Sequence, residues 1–91
     1  REPFDKEKVR RGILRSIEKR PVSISLVNEI TDEIERELLK AEKEEVTSKI
    51  VGNIVLKKLK NIDKVAWLRF ASVYLEFEDL SDFEKVISRN I

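Results

Sequence analysis

The chain has 91 residues, of which 41% are apolar and 41% charged, and its net charge is +1. It contains no Cys and no His, which excludes thiol and imidazole chemistry, disulfides and a conventional zinc or haem site within these residues. Two Gly and two Pro are too few for a turn-rich β fold, and the length suits one domain with a modest core.

In chain order, Asp5 is placed to cap a first helix with Val9, Ile13, Leu14 and Ile17 on one face, and Pro21 to stop it. Ser23 can cap a second, acidic helix bearing Val27, Ile30, Ile34 and Leu38, fading near Glu42 to Glu45. Thr47 or Ser48 caps a third with Ile50, Val51, Ile54, Val55 and Leu59. Asp63 starts a fourth with Ala66, Phe70, Val73, Tyr74 and Phe77. Ser81 with Glu84 reads as a capping box for a short last helix carrying Phe83, Val86 and Ile87. No strand alternation stands out. The pattern predicts an all-α domain with short connections. The apolar run from Ile50 to Leu56 is broken by Gly52 and Asn53 and is too short to span a bilayer. The chain starts at Arg1 and shows no signal peptide, so it is expected to be a fragment.

Charge alternates in blocks: +4 over residues 1–20, −5 over 21–45, +5 over 46–70 and −3 over 71–91. Such blocks can pair within one molecule or between molecules. Gly12 and Gly52 fall inside predicted helices, at about 1 kcal/mol each against Ala. Close helix approach accounts for them, as does a ligand lying where the two helices meet.

Glu2, Asp5 and Lys8, spaced by three, can converge at the start of the first helix. A carboxylate there can accept from an exocyclic amino group, and Lys8 with the helix N-terminal amides suits a phosphate. Asp5 as a plain N-cap and Lys8 as a solvated cation explain the same residues without a ligand. Tyr74 fits core packing or ligand contact, and Arg69 fits a structural pair with an acidic neighbour. Trp67 suits a core or a subunit interface. Lys49, Lys57, Lys58, Lys60 and Lys64 read as a solvated face, since no aromatic platform for nucleic acid accompanies them. No base–nucleophile pair is apparent, which argues against an enzyme.

Three stretches in this order, Arg1-Glu2-Pro3-Phe4-Asp5, Glu18-Lys19-Arg20-Pro21-Val22-Ser23 and Val65-Ala66-Trp67-Leu68-Arg69-Phe70-Ala71-Ser72-Val73-Tyr74 continuing to Phe83, resemble one family. It is the bacterial repressors of ribonucleotide reductase genes (NrdR type), and the match lies in their ATP-cone domain. The resemblance implies a mostly α fold over residues 1–91, a bundle of four to five helices whose small N-terminal β-hairpin is largely missing. It implies a cytoplasmic regulator that binds ATP and dATP, changes its oligomeric state with them, and reaches DNA through a zinc ribbon absent from this chain. By the same resemblance Glu2 and Asp5 fall where the family contacts adenine, Lys8 where it contacts phosphate, and Phe4 and Val9 beside the base. Thr47 and Val51 fall where the third helix closes on ribose and phosphates, with Val73 and Tyr74 near the same pocket. The chain departs from the family pattern in lacking the upstream Val-x-Lys-Arg-x-Gly segment, and in Trp67, Leu75 and Glu42. An ATP-cone of a ribonucleotide reductase itself, controlling enzyme activity, is the alternative.

Overall fold

A computed structural model describes residues 2–41 and 45–90. Its elements are β1 (Glu2–Pro3), α1 (Lys6–Ser16), α2 (Ile24–Lys40), β2 (Glu45–Val46), α3 (Ser48–Lys60), α4 (Lys64–Tyr74) and α5 (Leu80–Asn90). The domain is mostly helical, as the sequence predicts. The short antiparallel pair of β1 with β2 (Glu2 opposite Val46, Pro3 opposite Glu45) is not predicted. Two residues per strand are too few to show alternation.

Four helices begin where the sequence places a capping oxygen. Asp5 Oδ1 accepts from Lys8 N at 3.1 Å, Ser23 Oγ from Leu26 N at 3.0 Å, Thr47 Oγ1 from Ile50 N at 3.2 Å and Asp63 Oδ1 from Ala66 N at 2.9 Å. Each satisfies an N–H that the helix cannot bond internally, and each is worth about 1 kcal/mol. The last helix departs from expectation. Asp79 Oδ1 accepts from Asp82 N at 3.3 Å, while Asp82 Oδ2 accepts from Asp79 N at 3.4 Å. The reciprocal pair is therefore Asp79 with Asp82, and not Ser81 with Glu84.

Helix ends also differ in detail. α1 ends at Ser16, ahead of Pro21, in a turn that puts Lys19 in the left-handed region at φ 58°. α2 ends at Lys40 with Ala41 as its C-cap, and Glu42 lies outside the described residues. α4 ends at Tyr74, and Glu76 at φ 54° turns the chain away. Phe77 is thus outside α4 and stacks edge-on against Phe83 with ring centroids 4.7 Å apart.

The apolar faces meet in one core of Ile13, Ile17, Val27, Ile30, Ile34, Leu38, Val51, Val55, Leu59 and Ala66. Trp67 packs partly buried against its edge. The helices that pack together are α1 with α2, α1 with α4, α3 with α4, and α2 with α3. α5 belongs to none of these pairs.

Arg20 and Arg69 cross-link α4 to the end of α1 and the turn after it. Arg20 Nε, in the turn after α1, donates to both Asp63 oxygens at 3.1 and 3.0 Å. Arg69 donates to the carbonyls of Ser16 and Glu18 at 3.2 and 2.7 Å. Arg69 therefore closes the C-terminal end of α1 and does not pair with an acidic side chain. The acidic α2 is braced by lysines from both sides: Lys6 meets Asp32 and Glu35 at 2.5 and 3.4 Å, and Lys58 meets Glu33 and Glu37 at 3.1 Å each. These pairs are half exposed, so they set orientation more than stability.

Candidate functional site

The N-terminal turns of α1 and α3 and the end of α4 surround a cavity of about 220 Å³. Val9, Gly12, Val51, Val55 and Phe70 make its apolar slot, and Phe4, Asp5 and Lys8 stand at its polar side. The β1–β2 pair holds the two helix starts together, because β2 runs directly into the cap Thr47 and β1 is separated from the cap Asp5 by Phe4 alone. Asp5 takes the Lys8 N–H, and the other first-turn N–H groups of α1 together with the Lys8 ammonium are the groups that favour an anion there, against the charge of Asp5.

Tyr74 forms one wall. Its hydroxyl donates to the Lys49 carbonyl in the first turn of α3 at 2.5 Å, and its ring stacks on Phe70 with centroids 6.3 Å apart. Burial pushes the Tyr74 pKa up, so the hydroxyl keeps its proton and remains a donor. The ring lies directly on Gly52, and a Cβ at that position would overlap it. Gly12 differs: a Cβ there would sit 3.5 Å from Phe70, an ordinary contact. Close approach explains Gly52, and both glycines border the cavity.

Of the residues singled out in the sequence, Phe4, Asp5, Lys8, Val9, Val51 and Tyr74 are brought around this one cavity. Thr47 is occupied as the cap of α3 and does not line it. Glu2 is placed by its backbone in β1, opposite Val46. Val73 is 80% exposed and lies on a second groove, of about 330 Å³, that shares Gly12, Phe70 and Tyr74 with the cavity. Sequence reasoning missed Phe70 and Val55 as lining residues. Both sit at helical spacing inside apolar runs, where core packing masks any other use.

Asp63 joins two jobs at the far end of α4. Its side chain is 6% exposed, and the Ala66 backbone N–H, with Arg20 behind it, holds its carboxyl below the usual range against the opposing effect of burial. Lys58, near the end of the α3 basic run, is engaged by Glu37 and Glu33. Among the described residues no cluster of acidic side chains is placed to hold a metal ion, and no helix is long and apolar enough to cross a membrane.

Residues 1–80 match the ATP cone domain family. The chain is 54% identical to a transcriptional repressor NrdR from Finegoldia magna over 89 residues, 98% of this chain and 59% of that protein. It is 49% identical to a transcriptional repressor NrdR from Caldanaerobacter subterraneus subsp. tengcongensis over 83 residues, 91% of this chain and 52% of that protein. The chain thus spans little more than half the length of these relatives.

Proposed function

The chain belongs to the ATP-cone family, and from that premise we propose that it is the ATP- and dATP-sensing regulatory domain of a transcriptional repressor of ribonucleotide reductase genes. The reading is supported by the repressor relatives and is carried by one observation. An apolar slot with a carboxylate and a lysine at its polar side opens at a helix N-terminus. The base enters between Val9, Val51 and Phe70, and the phosphates lie toward Lys8 and the first amides of α1. Asp5 gives one oxygen to the Lys8 amide and keeps acceptor capacity for an exocyclic amino group. The domain binds and signals and performs no chemistry. Its work is in the cytoplasm, and DNA contact belongs to a zinc ribbon outside these residues.

Binding alone would regulate nothing. ATP and dATP must differ in affinity for alternative assemblies of the domain, and that difference is what shifts oligomeric state and operator binding. With the upstream hairpin restored, Lys8→Ala is expected to weaken ATP and dATP together by about 1–3 kcal/mol, because it removes a charge-assisted phosphate contact. Titration calorimetry giving equal affinities for variant and parent would return Lys8 to the role of a solvated cation. GTP is expected to bind less well than ATP, since its carbonyl would face the Asp5 carboxylate. Equal GTP and ATP affinities in the same instrument would remove Asp5 from base recognition.

A further inference from the structure

The charge blocks of the sequence are not all answered within the molecule. Acids of α2 are held by Lys6 and Lys58. The acids that follow α4 have no such partners: among the described residues no ion pair involves Glu76, Glu78 or Glu84. They accompany a helix that the bundle does not cover. On α5, Leu80 and Ile87 lie seven residues apart and so on one face, with Glu84 between them. Leu80 is 78% exposed, and Leu75, just before the turn, is also exposed. Leu80 and Ile87 with Glu84 between them form an exposed apolar face carrying one unpaired acid, while Asp82, Lys85 and Arg89 lie on other faces of α5; such a face is an interaction surface without its partner.

Its complement lies on the same chain. The groove of about 330 Å³ between α1 and α4 is floored by Phe70, Val73 and Gly12 and edged by Arg15 and Arg69. Lys19 continues this edge around Arg15 and Arg69, where three cations outnumber the single acid Glu18. No ion pair among the described residues holds Arg15 or Lys19. α5 of the same molecule is not among the helices that pack closely on α1 or α4. Two α5 helices facing each other would oppose acid to acid, whereas α5 in this groove opposes acid to base over an apolar floor.

We propose that the apolar, acid-edged face of α5 docks into the Arg15–Arg69–Val73 groove of a second copy of this chain. The contact is head to tail, so it builds rings or open chains and not an isolated pair. It rests on the assembly part of the proposed function and names the surface that assembly uses. The groove shares Gly12, Phe70 and Tyr74 with the candidate nucleotide cavity, so a ligand there touches the wall against which α5 seats.

Sedimentation velocity of the 91-residue chain over a concentration series tests this. The parent is expected to self-associate, more weakly at high salt. Glu84→Lys and Arg15→Glu should each weaken association at least tenfold, and the two together should restore it to within about threefold, as a swapped charge pair does. Leu80→Ser should weaken association without rescue by either. A parent that stays monomeric at all concentrations overturns the proposal. So does association that Leu80→Ser abolishes but Arg15→Glu leaves intact, which would pair α5 with itself. Circular dichroism confirms that each variant is folded, and ATP calorimetry on the same variants keeps the two readings apart. Retained nucleotide binding with failed charge rescue removes the surface alone, and absent binding in the parent with its upstream hairpin restored removes the nucleotide reading alone.

Discussion

Asp63→Ala is expected to lower the stability of the domain by about 2–3 kcal/mol. The carboxylate caps α4 through the Ala66 amide and receives Arg20 from the turn after α1. Loss of a cap costs roughly 1 kcal/mol, and a hydrogen bond to a charged group contributes about 1.5–3 kcal/mol. Arg20 is 35% exposed and recovers part of that by hydration, so the sum stays near the lower bound of the two together. For a domain of this size the melting temperature should fall by roughly 10–20 °C. Asp63→Asn keeps an acceptor for the cap and should lose about half as much. The folded-state pKa of Asp63 is depressed, so its contribution is fully present above the ordinary carboxylate value of about 3.9. It disappears as pH falls below that value through the folded-state pKa. A melting curve for Asp63→Ala that matches the parent at pH 7 would show that the Arg20 cross-link is idle.

Gly52→Ala and Gly12→Ala are expected to act in opposite directions, although both replace a glycine within a helix. Alanine is favoured over glycine by about 1 kcal/mol at such positions. At Gly12 the new methyl meets Phe70 at 3.5 Å, so the gain is kept and the melting temperature rises. At Gly52 the methyl overlaps the Tyr74 ring. The ring must leave, losing its stack on Phe70 and its bond to the Lys49 carbonyl. Overpacking of this kind costs about 1–3 kcal/mol, which cancels or exceeds the helix gain. The displaced ring also reshapes the wall of the cavity. Under the proposed function ATP affinity should fall at least tenfold in Gly52→Ala and change little in Gly12→Ala. Calorimetry showing equal losses in the two would detach Tyr74 from the site.

The helix starts were readable because Asp, Ser and Thr stood immediately before apolar residues at helical spacing, as at Asp5, Ser23, Thr47 and Asp63. The start of α5 was harder. Asp79, Ser81, Asp82 and Glu84 offer two overlapping capping registers, and the carboxylates win over the hydroxyl expected to cap. Apolar spacing also carried α4 on to Phe77, because periodicity does not register the left-handed turn at Glu76. Asp5 and Lys8 were visible as a local pair three apart. Gly52 on Tyr74, and Arg20 on Asp63, depend on residues 22 and 43 positions distant that only the packing of α4 brings together. Spacing within one helix holds no trace of them.

The two-residue pairing of Glu2–Pro3 with Glu45–Val46 also sets a timescale. It is a small element, yet it ties the entry of α1 to the entry of α3 across 41 intervening residues. Such a ladder opens locally, at far lower free energy than global unfolding. Each opening frees both helix entries at once and parts the cavity on that side. Occupancy of the cavity should therefore register first as slowed amide hydrogen exchange in this short ladder, at concentrations where the melting temperature has yet to move.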